Sequence, residues 1–258
     1  MGTSKNCELA LLFKSTVVLR WFSTGFVPKG FLNSMRTLYH YTLCPFSRKV
    51  RLILAEKKLD FELEVERTWE KRPEFITLNP AGKVPLLVDL NGTAIIDSMA
   101  IAEYLDEAYP ERLLVGVGLT HRAEVRRLTA WFDDKFAQEV SVSLLLEKVL
   151  KKDLYHDHSG PNSAVLRLIK GNIHDHLSYI SWLVDRRKWL AGDEFSLADV
   201  AAAAHLSIVD YLGDVPWDKH ELAKDWYVRI KSRPSFRALL ADRLPGRAPS
   251  SHYENLDF

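Results

Sequence analysis

Cys44-Pro45-Phe46-Ser47, followed about forty residues later by Lys83-Val84-Pro85 and then by Asp97-Ser98, is the pattern that most restricts how this chain can fold. A cysteine directly ahead of proline suits a helix start, because proline at the first helical position has no N–H to leave unpaired. A Val-Pro step between two apolar runs suits a tight turn, where a cis peptide costs least. Asp97-Ser98 opens an apolar helical pattern, and the N–H groups of such a start can receive an anion. Each motif alone is an ordinary cap or turn. Their order and spacing predict one small site assembled from distant stretches of chain.

The segments around these motifs have readable periods. Thr37-Leu38-Tyr39-His40-Tyr41 predicts a short strand from its β-branched and aromatic content. Val50, Ile53 and Leu54 fall on one face of a helix that runs to about Lys58. Phe61-Glu62-Leu63-Glu64-Val65 alternates as a half-buried strand, residues 73–78 read as a short helix, and residues 83–88 as a third strand. Asn91-Gly92 is a hairpin signal ahead of a fourth strand, Ala94-Ile95-Ile96. Residues 98–108 then predict a helix with Ile101, Tyr104 and Leu105 on its apolar stripe. Strand-helix-strand followed by strand-strand-helix is the thioredoxin-like α/β arrangement, here over residues 35–110.

Residues 111–120 read as a linker to an all-α region over residues 121–242. Val125, Leu128, Phe132, Phe136 and Val140 keep a helical period through residues 121–149. A second long helix over residues 164–187 offers Leu168, Ile173, Leu177, Ile180 and Leu183 to the core. Ser196-Leu197-Ala198-Asp199 forms a capping-box variant. It opens a very apolar helix over residues 200–211, expected at the centre of the domain. Residues 221–233 and 236–242 predict two further helices. Residues 243–258, with Pro245 and Pro249 and no apolar period, read as a C-terminal tail unable to pack much by itself.

The formal net charge of +1 gives no reason to expect nucleic acid or an anionic membrane as partner. Two cysteines, Cys7 and Cys44, are too few for a disulfide scaffold, so a reducing, cytoplasmic setting is expected. Residues 1–34 carry one acid, Glu8, against Lys5, Lys14, Arg20 and Lys29, and Lys14 interrupts their apolar stretch. They are expected to be a disordered or non-native extension ahead of a start at Met35. An organelle presequence is the alternative. His121, His156, His158, His174, His176 and His205 match no metal-ligand spacing and are expected in loops or at the surface, so no metal site is predicted.

With these residues in view, the chain resembles the glutathione-transferase superfamily over residues 36–242. The resemblance rests on Cys44-Pro45-Phe46-Ser47, Asn79-Pro80-Ala81-Gly82-Lys83-Val84-Pro85-Leu86, Asp97-Ser98 with Ile101 and Tyr104-Leu105, and the capping box. It implies a thioredoxin-like N-terminal domain plus an all-α C-terminal domain, associating as a homodimer. A narrower likeness lies in Ala130-Trp131-Phe132-Asp133-Asp134-Lys135-Phe136, Asp210-Tyr211-Leu212-Gly213-Asp214-Val215-Pro216-Trp217 and the final His252-Tyr253-Glu254-Asn255-Leu256-Asp257-Phe258. These segments are similar to the alphaproteobacterial FtsZ-localised protein A group, whose members bind the division protein FtsZ and shape its filaments.

That likeness implies a division factor acting without glutathione chemistry and requiring no cofactor. Trp69 and the tail residues Leu256, Asp257 and Phe258 are then its FtsZ contacts, with Asn255 standing where the group usually has an acid. The alternative is a glutathione-dependent transferase or thiol transferase. Cys44 would then be the reacting thiol, and Cys44, Lys83, Val84, Pro85, Asp97 and Ser98 would hold glutathione as substrate or ligand. Read from chemistry alone, a thiol at a helix start has its thiolate favoured by the helix and by cations such as Arg48. Ser47 replaces the second cysteine of a dithiol pair, which excludes a self-contained dithiol cycle. Each candidate also has a plain structural role. Cys44 could be idle, Val84-Pro85 a turn, Asp97-Ser98 a cap, Trp69 a lid, and the tail a strap over the body.

Overall fold

The structure, a computed structural model, describes residues 35–155 and 159–256. The expected extension over residues 1–34, His156, His158 and the tail positions Asp257 and Phe258 lie outside the described residues. Four short strands, β1 (Arg36–His40), β2 (Phe61–Val65), β3 (Leu86–Val88) and β4 (Ala94–Ile96), form one sheet in the order β2-β1-β3-β4. β1 and β2 are parallel, so a crossover must join them. It is supplied by α1 (Pro45–Glu56). β1–β3 and β3–β4 are antiparallel. α2 (Pro73–Leu78) precedes β3, and α3 (Ser98–Ala108) follows β4.

β3 begins at Leu86, three residues later than the apolar run suggests, because proline at 85 has no N–H to add to a ladder. β2 also differs from expectation. It is an outer strand, and Glu62, Leu63, Glu64 and Val65 are all exposed, so its alternation marks no buried face.

The second region begins with α4 (Leu119–Ala130). The chain stays helical through a π-helical stretch (Trp131–Ser141), α5 (Val142–Leu145), a second π-helical stretch (Leu146–Leu150) and α6 (Lys151–Tyr155). Val125, Leu128, Phe132, Phe136 and Val140 are all fully buried along this path. The linker is pinned rather than loose: the Asp106 carboxylate accepts from the N–H groups of Leu114 at 3.0 Å and Val115 at 2.6 Å. α7 (Ser163–Val184) is capped by the Asn162 side chain. Its buried face runs through Ile169, Ile173, Leu177 and Ile180. Leu168 is one position off that stripe and is 68% exposed, against expectation.

Every residue of α8 (Leu197–Tyr211) is buried. Ser196 and Asp199 make both bonds of the capping box, and Asp199 also accepts from the Leu190 N–H at 3.0 Å and Trp226 Nε1 at 2.9 Å. α9 (Glu221–Lys231) and α10 (Arg237–Leu240) complete the domain. One apolar cluster runs from Leu38 and Leu87 of the sheet through α1 into α8, so the two regions share a core.

Charged groups stitch the same junction. Arg48 and Arg51 of α1 both reach Asp242, and Lys49 pairs with Asp133. The tail does pack. Tyr253 is fully buried beside Leu43, Leu145, Ile208 and Tyr211, and its hydroxyl donates to the Leu239 carbonyl. Polar contacts add to this aromatic anchor: the Ser250 hydroxyl donates to the Asp210 carbonyl at 2.7 Å, and His252 Nε2 lies 3.0 Å from the Asp210 carboxylate. No helix among the described residues is long and apolar enough to cross a membrane.

Candidate functional site

The sheet register builds the site. Tyr39 pairs with Leu86, and Leu86 with Ile96, so these residues form one row across β1, β3 and β4. Cys44 follows β1, Val84-Pro85 precedes β3 and Asp97-Ser98 follows β4, which puts the three motifs at the same end of the sheet. The convergence expected from the motifs is therefore a consequence of strand order.

Cys44 occupies the cap position of α1 with Pro45 behind it, and its N–H donates to the Tyr41 carbonyl at 2.9 Å. Its sulfur lies 3.9 Å from the Val84 carbonyl oxygen. Val84-Pro85 is cis. Asn79 shapes the approach to it: its amide nitrogen donates to the Lys83 carbonyl at 2.6 Å and its oxygen accepts from the Ala81 N–H at 3.0 Å. Gly82, at φ +60°, completes that turn in the left-handed region. The Lys83 side chain is exposed.

Asp97 has φ +78°, and its carboxylate accepts from the N–H groups of Met99 and Ala100 at 2.8 and 3.2 Å. Asp97 thus caps α3, while Ser98 is buried at its first turn. The donors that Asp97 engages are those of its own helix.

The electrostatics of Cys44 overturn one expectation. Burial pushes its thiol above the usual range, and the nearby donor groups of Ser47 and Phe46 at the helix start only partly oppose this. Arg48 contributes least, because its guanidinium turns into the core toward Asp242, Ser207 and Tyr253. A helix start is present, but the cation expected to support a thiolate is committed elsewhere.

Trp69 sits apart from this row, in a 3-10 turn (Thr68–Glu70) after β2. It is half-buried, with its ring edge-to-face against Tyr41 at 5.4 Å. The pair borders a cleft of about 880 Å³ between the β1–α1 and β2–α2 loops, the end of the long helical path, and the tail turn around Leu244. Tyr41 belongs both to this cleft and to the turn holding Cys44. Leu256 is exposed. Lys148, Lys152, Arg243 and Arg247 also line the cleft. The sequence reading missed them, and the only available signal was the spacing of Lys148 and Lys152 on one helical face.

The histidine expectation needs correcting as well. His176 and His205 are buried in the helical domain, not at the surface. His176 accepts from Trp131 Nε1 at 3.1 Å, and His205 bonds Ser141 Oγ at 2.7 Å and Asp133 at 3.3 Å. Packing demands explain both. Among the described residues no three His, Cys, Asp or Glu side chains are grouped to hold a metal ion.

The model of the glutathione S-transferase N-terminal domain matches residues 43–108, and that of the C-terminal domain residues 170–234. FtsZ-localized protein A of Caulobacter vibrioides is 50% identical over 227 residues, covering 86% of this chain and 98% of that protein. The chain belongs to the glutathione S-transferase family. Among solved structures of the family, a glutathione S-transferase from Rhodospirillum rubrum matches with TM-score 0.83 and 53% identity, over 87% of this chain and all of that one. FzlA from C. crescentus matches with the same TM-score and 48% identity, again over 87% of this chain and 100% of that one. The glutathione S-transferase fold expected from the motifs is therefore present. The Cys44, Val84-Pro85 and Asp97-Ser98 motifs lie in the first matched segment and the Ser196–Asp199 capping box in the second.

Proposed function

We propose that this protein is a cytoplasmic, homodimeric division factor on a glutathione S-transferase scaffold, one that binds FtsZ and modulates its filaments without glutathione chemistry. The likeness to FtsZ-localized protein A, 50% over nearly the whole length of that protein, carries this reading. Two features of the site support it. Burial pushes the Cys44 thiol above its usual range, and Trp69 lines a cleft with its ring edge-to-face against Tyr41.

Cosedimentation tests it. The full chain is expected in the pellet with polymerised FtsZ at micromolar concentration, and Trp69→Ala is expected to weaken binding about thirtyfold, the loss of a hot spot of about 2 kcal/mol. Wild-type protein left wholly in the supernatant would end the division reading.

The convergence of Cys44 with Val84 favours one rival, a glutathione-dependent transferase or thiol transferase. On this reading Cys44 reacts, the Val84 backbone pairs with the peptide, and Ser98 receives its γ-glutamyl carboxylate, with Lys83, Pro85 and Asp97 framing the groove. A mixed disulfide of glutathione is the discriminating substrate. Turnover that vanishes in Cys44→Ala establishes the rival, and its absence from the wild-type protein removes it.

A further inference from the structure

The whole chain carries a formal net charge of +1, yet the cleft beside Trp69 gathers Arg67, Lys148, Lys152, Arg243 and Arg247 against one acid, Glu70. Three of these cations are already paired. Arg67 meets Glu70 at 3.2 Å, Lys148 meets Asp214 at 2.5 Å, and Arg243 meets Glu254. The other two are not. Among the described residues neither Lys152 nor Arg247 has an acidic partner, and the Arg247 guanidinium donates to the Lys148 carbonyl at 2.7 Å. Both are exposed.

Positive charge on the walls of a concavity focuses potential into it and raises the local concentration of anions. A carboxylate arriving at Lys152 or Arg247 displaces no existing ion pair, so its Coulomb gain is not offset by a broken one. Much of the remaining lining is apolar. Trp69 rests on Tyr41, with Val149 and Leu244 beside them. A free inorganic anion would use the cations and leave these side chains idle. A peptide with carboxylates flanking an apolar residue would use both.

We propose that this cleft docks an acidic segment of the division partner, with its carboxylates on Lys152 and Arg247 and an apolar side chain against Trp69. The proposal rests on the FtsZ reading above. Lys152 and Arg247 come from two chain segments, the end of the long helical path and the turn at Leu244–Arg247, so the site depends on the tail being folded back.

The test is cosedimentation of the full-length chain with polymerised FtsZ at fixed salt, using two double variants of the cleft. Lys152→Ala with Arg247→Ala is expected to weaken binding about tenfold, the scale of two solvent-facing charge contacts, and Lys152→Glu with Arg247→Glu more strongly. All four changes are on exposed side chains, so unfolding midpoints should match the wild type. Arg167→Glu with Lys170→Glu on α7 makes the same change of net charge away from the cleft, and should bind as the wild type does.

Wild-type cosedimentation that survives both cleft variants overturns the docking proposal and leaves the FtsZ reading standing. Equal weakening by the α7 pair also overturns it, by making the effect one of net charge. Failure of the wild-type protein to cosediment removes the FtsZ reading itself, and the docking proposal with it.

Discussion

Arg48→Met is expected to lower the free energy of unfolding by about 3–5 kcal/mol, the range found when one partner of a buried ion pair is removed. Arg48 is fully buried on α1 and is held from four directions. Nε donates to the Thr42 carbonyl at 2.9 Å, and the terminal nitrogens donate to Ser207 at 2.8 Å, Tyr253 at 3.0 Å and Asp242 at 3.0 Å. It therefore joins the turn that carries Cys44, the central helix α8, the end of α10 and the tail.

Lysine is no substitute here, since one ammonium cannot span that fork. Tyr253→Phe deletes one arm of the network and should cost about 1 kcal/mol. Urea unfolding of the three proteins checks the ordering. An Arg48→Met midpoint equal to wild type would show that the network holds nothing together.

The second large effect is in pH. His40, at the end of β1, is 3% exposed, and burial, reinforced by the Arg51 guanidinium, holds its pKa down at about 4. Asp242 acts in the opposite direction but more weakly. From about pH 6.5 down to about 4, the unfolded chain takes up a proton that the native state refuses. Stability should therefore fall as pH falls through that window, by about 3 kcal/mol for this one side chain.

His176, His205 and His220 are shifted in the same direction. The total slope is steeper than one histidine gives, and His40→Leu isolates the share of His40. Unfolding measured at pH 7, 6 and 5 should show the variant losing less than the wild type. Parallel losses for the two proteins would remove His40 from the account.

Local chemistry made much of the fold readable. Proline after Cys44, the Asn91-Gly92 hairpin and the Ser196–Asp199 box each act within a few residues, and each is where the spacing put it. The three motifs share one end of the sheet because β3 runs antiparallel to both β1 and β4. The partners of long cationic side chains were not readable. Arg48 stands next to a helix start in sequence, yet its side-chain partners lie 159 to 205 residues away, and no local pattern announces them. The same limit hid the basic cleft, whose cations are scattered over three stretches. It also hid the docking of the tail, which depends on Tyr253 finding a slot made by α5 and α8.

The outer strand β2 carries a liability and its remedy together. It leaves Leu63 and Val65 exposed, at 42% and 54%, beside backbone groups with no neighbouring strand among the described residues. Such a margin invites a second copy to zip on. Glu62 and Glu64 interrupt the invitation, because two copies meeting edge to edge would bring like charges into register. Colloidal behaviour thus falls to two glutamates that take no part in the core, and neutralising them trades solubility for self-assembly.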